Sequence, residues 1–144
     1  MSEERKVAEV LARYVRATDD RNGPAQGALF TEDAVVEVMV RSGKGYEKVG
    51  EPLIGSAGVA WAVENLMAPH PPGGSSHHMT ADHIIEVNGD IAHLSAQVIH
   101  FSVREEIRPV ESAYYDTDLR KIDGEWKITH HCVLLDRPMV GPDA

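Results

Sequence analysis

An α+β fold, with helices laid on one face of a curved, mainly antiparallel sheet, is what this sequence predicts. Three observations lead there. Helix-period apolar patterns occupy the N-terminal half, four β-patterned runs follow one another from Ser75 to Arg137, and tight-turn residues separate those runs. Helices first and a long meander afterwards describe helices segregated to one side of a sheet. Long, strongly curved strands leave a cone whose mouth can hold a ligand.

The first helix is expected from Glu3 to about Arg21. Val7, Val10, Leu11, Tyr14, Val15 and Thr18 recur at three- and four-residue spacing and give it one buried stripe. Ser2 can cap it, Glu3 and Glu4 suit its positive end, and Asn22-Gly23 ends it. A short second helix runs from Pro24 to about Phe30, with proline in its first turn. The β-branched run Val35, Val36, Val38 and Val40 marks a strand over Thr31–Arg41, and Gly43-Lys44-Gly45 turns the chain. Tyr46 to Ile54 reads as the returning strand, at an edge because of Pro52. Ser56 is expected to cap a third helix over Ala57–Met67, and Pro69 to Ser76 is a loop by its turn chemistry. Strands are then expected over Ser76–Val87, Ile91–Val103, Val110–Ile122 and Glu125–Leu135. Asn88-Gly89-Asp90 and Asp123-Gly124 join neighbours as antiparallel hairpins.

A chain of 144 residues can bury one core, so a single domain over residues 1–144 is expected. The net charge of −9 opposes nucleic acid or anionic membrane as a partner, because both demand a basic surface. No apolar run approaches the ~18 residues that span a bilayer, and the acidic start Met1-Ser-Glu-Glu has no signal-like stretch. The single cysteine, Cys132, fits a reducing compartment. A cytoplasmic location is therefore expected.

Eight histidines are many for this length. His78, at the start of the first meander strand, alternates with Thr80, Asp82 and Ile84 on one face, and Met79, Ala81, Ile85 and Val87 share the other. Asp19 follows Leu11 and Val15 at helical spacing and borders the buried stripe, whereas Asp20 points to solvent. An acid in a last helical turn opposes the helix dipole, a cost that a function would explain. If the fold brings the two together, Asp19 can hold one ring nitrogen of His78 and leave the other free to take a proton. The bland readings are a loop cap for Asp19 and a backbone-satisfied ring for His78. Tyr14, Tyr115, His100 and His131 are candidate polar groups of a pocket, and Trp61 a candidate wall. His77-His78 and His130-His131 cannot chelate one ion as adjacent pairs, since neighbours on a strand face opposite ways. Without a HExxH or cysteine-rich motif, neither metal nor cofactor is expected.

Tyr14-Val-Arg-Ala-Thr-Asp19, Leu29-Phe-Thr-Glu-Asp-Ala34, His78-Met-Thr-Ala-Asp82, Asn88-Gly-Asp-Ile-Ala92 and Asp123-Gly-Glu-Trp-Lys-Ile128 follow in an order that resembles the SnoaL-like polyketide cyclase group of the nuclear transport factor two-like superfamily. The resemblance spans nearly the whole chain and implies a cone-shaped α+β barrel that commonly forms homodimers through its sheet. It lies near the branch of scytalone dehydratase and hexachlorocyclohexane dehydrochlorinase. There it implies an Asp–His pair, at Asp19 and His78, that abstracts a proton. Two positions depart from the pattern. His131 stands where an arginine often faces the pocket, and Thr117 stands at the acidic place of a Tyr-x-Asp-x-Leu strand. A pocket without that arginine holds a leaving anion less firmly.

The expected function is thus a cofactor-free lyase or isomerase acting on a small, apolar, cyclic or polyketide-like molecule. His78 is its base, Asp19 orients that base, and Tyr14, Tyr115 or His131 polarise an oxygen. The alternative is a non-catalytic ligand-binding or dimerisation module of the same fold.

Overall fold

The apolar stripe of the N-terminal segment becomes α1 (Glu3–Asp19), with Val7, Val10, Leu11, Tyr14, Val15 and Thr18 on its buried side. The computed structural model describes residues 1–139. The Ser2 hydroxyl accepts from the Arg5 N–H at 3.1 Å, the expected cap. The second helix, α2 (Gly23–Gly27), is shorter than its pattern suggests, because Phe30 already belongs to the first strand. A Cβ on Gly27 would stand 2.6 Å from the Ser56 carbonyl. Glycine is what lets α2 lie against the third helix.

β1 (Phe30–Ser42) is followed not by one returning strand but by two short ones, β2 (Gly45–Lys48) and β3 (Leu53–Ile54), both paired with β1. Between them Gly50 takes φ 67° and Pro52 offers no N–H, so the ladder breaks. The third helix, α3 (Gly55–Asn65), starts earlier than expected, and its cap is Ile54, without a side-chain bond. Ser56 lies inside the helix and donates instead to the Gly27 carbonyl at 2.7 Å. Gly55, at φ 74°, packs so close to Glu32 that a Cβ would meet its carbonyl.

The meander is β4 (Ser75–Asn88), β5 (Ile91–Val103), β6 (Ile107–Ile122) and β7 (Glu125–Leu135). Asp123 and Gly124 both take positive φ in the last hairpin, as a tight turn there requires. Strand order is β2-β1-β7-β6-β5-β4, with β1 parallel to β7 and the other pairs antiparallel. The sheet is curved and unclosed. α1 packs on β4, α3 on β1 and α2 on α3, so the helices cover one face. No helix among the described residues is long and apolar enough to cross a membrane.

Register shifts decide what faces the helices. Between Ala81 and Ile84, β4 carries one residue more than β5 opposite, and Asp82 there takes φ 52°. Even-numbered residues point inward before this bulge and odd-numbered ones after it. Ile84 is therefore 64% exposed, while Ile85 and Val87 pack on the core, which corrects the simple alternation expected from the sequence. A second shift, at Thr129 in β7, puts His131 on the same buried side as Trp126 and Ile128.

Candidate active site: two carboxylate–imidazole pairs in an apolar cavity

Asp19 ends α1 next to β4, and its carboxylate is saturated by that strand. Oδ1 accepts from the Ser76 hydroxyl at 2.9 Å, Oδ2 from the His78 backbone N–H at 2.9 Å, and Oδ1 meets His78 Nδ1 at 2.6 Å. Both side chains are 13% exposed. Burial pushes the Asp19 carboxyl up, but the His78 ring, its backbone N–H and Ser76 outweigh burial and hold it below the usual carboxylate range. The loop between α3 and β4 is tied to the same helix end. His70 Nε2 lies 2.6 Å from the Asp19 carbonyl, and Arg21 Nε donates to the Ala68 carbonyl at 2.9 Å. The acid that opposes the dipole is thus offset by three donors, and it is both a strand anchor and a ring holder.

With Nδ1 bonded to a carboxylate, the neutral His78 ring carries its proton there and leaves Nε2 with a lone pair. A second pair stands beside it. His78 pairs across the ladder with His100, and His100 with Glu111. The two imidazoles stack with centroids 4.1 Å apart and planes 8° from parallel, and His100 Nδ1 lies 2.7 Å from Glu111 Oε1. His100 Nε2 is buried and has no hydrogen-bond partner. The row thus reads carboxylate, imidazole, imidazole, carboxylate.

These rings line a cavity of about 270 Å³. At ~30 Å³ per water it has room for about nine waters, hence for one or two rings of a small molecule. Apolar side chains such as Val36, Val59, Val63, Val98, Ala113 and Leu135 form most of the wall. Tyr14, Thr18, Gln26 and Tyr115 add polar atoms, and no lysine or arginine lines it among the described residues. Burial pushes the Tyr115 hydroxyl well up, and Tyr14, Asp19 and Glu111 push the same way. Tyr14 is raised by burial, partly offset by Gln26. Both phenols are therefore neutral donors at ordinary pH.

Two of the expected residues are elsewhere. Trp61 is 54% exposed and does not line the cavity, because Val59, Ala62 and Val63 take the inner side of α3 and the spacing turns position 61 outward. His131 is fully buried beneath the cavity wall, with ring centroids 4.6 Å from Tyr14 and 4.7 Å from Tyr115. Thr117 Oγ1 lies 2.8 Å from its Nδ1. Burial and, less so, His130 push its pKa down to about 3, so it is a neutral packing group under the two phenols. Glu111 and Ser76 are site residues that the sequence pattern does not single out. Alternation backward from Tyr115 through Ala113 reaches Glu111, a charge on an inward register, which is the one signal the sequence offers. Among the described residues no group of three His, Cys, Asp or Glu side chains is placed to hold a metal ion.

A helix-backed, curved sheet around an apolar pocket with buried acid–base groups defines a class of small-molecule-pocket α+β proteins. Within that class the chain belongs to the SnoaL-like domain family, whose model matches residues 1–131. Solved structures share the fold at low identity. A cystatin-like-fold protein of unknown function from Nostoc punctiforme is 18% identical, with TM-score 0.76 over 95% of this chain and 93% of that one. ActVI-ORFA from Streptomyces coelicolor is 16% identical, with TM-score 0.75 over 92% and 96%. A protein described as the beta subunit of an aromatic-ring-hydroxylating dioxygenase, from Novosphingobium aromaticivorans, is 18% identical, with TM-score 0.78 over 96% and 92%. No curated protein matches the chain.

Proposed function

We propose that the protein is a cofactor-free lyase or isomerase, in which the Asp19–His78 pair removes a proton from carbon next to a carbonyl. Its substrate is a small, uncharged cyclic or polyketide-like molecule. The observation that carries this reading is the 2.6 Å contact of Asp19 with His78, whose ring lines an apolar cavity. The neutral His78 ring takes the proton at Nε2, and the Asp19 carboxylate stabilises the imidazolium that forms. The Tyr115 hydroxyl, kept protonated by burial and by the charges of Asp19 and Glu111, donates to the enolate oxygen. Membership of the SnoaL-like family and the fold likeness to ActVI-ORFA support this class of chemistry. A set of enolisable cyclic ketones in D₂O, read by mass spectrometry, tests it. Deuterium enters the α position with the protein and falls to background with His78→Ala; equal incorporation by both proteins would refute the assignment.

A second reading, a ligand-binding or dimerisation module, is favoured by one observation. The sheet face away from the helices exposes Met79 (59%), Ile84 (64%), Ile99 (37%) and Tyr114 (41%). The likeness to a dioxygenase beta subunit points the same way. Both readings share a homodimer through this face, located in the cytoplasm in keeping with the lone thiol. Light scattering after gel filtration tests the dimer: about twice 15.8 kDa is expected, and a monomer at micromolar concentration would rule it out.

A further inference from the structure

We propose that Gln26 is a specificity-determining residue of this cavity, and that its side-chain carbonyl, beside the Tyr14 phenol, receives a hydroxyl group of the ligand. The inference rests on the reading of the cavity as a site for a small, uncharged cyclic molecule, and narrows that class to hydroxylated rings. It does not depend on His78 acting as a base.

Hydrogen-bond accounting carries it. Gln26 is 3% exposed and lines the cavity from α2. Thr18 donates its hydroxyl proton to the Tyr14 carbonyl at 3.1 Å, so its oxygen is left as an acceptor. Whatever faces that oxygen must be a donor, which fixes the Gln26 amide with Nε2 toward Thr18 Oγ1, at 2.6 Å. The other end of the amide, Oε1, is thereby committed as an acceptor, and it is buried with no hydrogen-bond partner. A buried polar atom in that condition is uncommon, and a ligand donor would relieve it. Thr31, Trp126 and His131 also bury an unpartnered atom, but none of them lines the cavity.

The residues around Gln26 hold its amide in place. Asn22 Oδ1 accepts from the Ala25 N–H at 3.1 Å and caps α2, and the Gly27 carbonyl accepts from the Ser56 hydroxyl of α3 at 2.7 Å. The acceptor is thus set before a ligand arrives, which lowers the ordering cost of binding. The Tyr14 phenol is near enough to the amide for Gln26 to offset part of the upward shift that burial imposes on it, and it stays a neutral donor. One group of this couple takes a proton and the other gives one. A hydroxyl does both and satisfies the two together. An ether or a second carbonyl would leave Oε1 unpaired, and an ammonium group would leave Tyr14 without an acceptor. Because α1 and α2 form the helix side of the cavity and His78 the sheet side, the hydroxyl lies across the ring system from the carbon that faces His78.

The probes are 5-hydroxyindan-1-one, 6-hydroxyindan-1-one and their methyl ethers. Calorimetry gives their dissociation constants for the wild type and for Gln26→Met, whose side chain has similar length without an amide. Thermal melts confirm folding. At least one hydroxyindanone should bind the wild type about tenfold or more tightly than its ether, since a site built to pair a hydroxyl rejects the analogue that cannot donate. In Gln26→Met the two should bind within about twofold. A second readout needs no variant. The chain has two glutamines, and the other, Gln97, donates to Asp82 at 2.6 Å and does not line the cavity. With ¹³C-labelled glutamine, the preferred hydroxyindanone should move the Gln26 side-chain carbonyl signal and leave that of Gln97 in place. Equal binding of hydroxyindanones and ethers by the wild type, a preference that survives in folded Gln26→Met, or an unmoved Gln26 signal at saturation would overturn the proposal. Should none of the probes bind, the cavity reading fails and this one with it. Should they bind without discrimination, only the role of Gln26 fails.

Discussion

The two faces of the sheet carry the same chemistry in different surroundings. Inside, Asp19 holds His78 and Glu111 holds His100, all 13–20% exposed and beside an apolar cavity. Outside, Asp116 holds His93 and Glu37 holds His130, with side chains up to 51% exposed and water on hand. Residue types do not separate these pairs. Enclosure does: a low-dielectric wall strengthens each charge interaction, and a cavity gives the free ring nitrogen something to act on. A carboxylate–histidine pair in a sequence is thus a candidate device, and the sheet face on which it falls decides whether it can work.

The largest contrast is in rate. His78→Ala should reduce α-proton exchange of a cyclic ketone by ~10²–10⁴-fold, the range of general-base assistance, while His93→Ala and His130→Ala stay within twofold. Exchange rates in D₂O decide it, and a large loss in an outer variant would erase the distinction.

His131 sharpens the comparison through stability. Its pKa is about 3 in the fold against 6.5 in the unfolded chain, so between those values the unfolded state binds the extra proton. Stability from this group is whole above pH 6.5 and declines as pH falls, by up to about 1.4 kcal/mol per unit, until near pH 3. Urea titrations from pH 7 to 4 should show that slope, and His131→Gln should flatten it.

Asp19→Asn keeps the shape of the anchor and removes its charge. A rate loss of at least tenfold at near-normal melting temperature is expected, against none for Asp116→Asn. Because the Asp19 carboxyl lies below the ordinary aspartate value of 3.8, its contribution is present above that pH and fades only as pH drops further. Activity should therefore show no Asp19 limb between pH 5 and 8. Smallest of all, replacing Glu37 and His130 together by Gln should change stability by about 1 kcal/mol or less, near the usual worth of an ion pair at a solvated face.

Much of this architecture is legible in the residues themselves. The stripe from Val7 to Thr18 specifies α1 and places Asp19 at its buried border, and the hairpin residues at 88–90 and 123–124 set the meander. What the pattern misses is set by irregularity and by non-local pairing. A bulge at 82–83 inverts the facing of Ile84 and Ile85, and one at Thr129 brings His131 inside. Alternation counts residues and cannot see an inserted one. Trp61 reads as a wall because aromatic residues usually are, yet its helix turns Val59 and Val63 inward and leaves it outside. Glu111 lies on an inward register in plain view. Its meaning depends on His100 being opposite, which only the strand pairing reveals.

The central claim is that the enclosed imidazoles, and not the exposed ones, meet the ligand. ¹⁵N-labelled histidine side chains observed by NMR while cyclohexanone is added measure this directly. The account predicts shifts confined to the rings of His78 and His100, with His93 and His130 unmoved. Unmoved His78 and His100 signals at saturating ketone, or equal shifts on the outer pair, would contradict it.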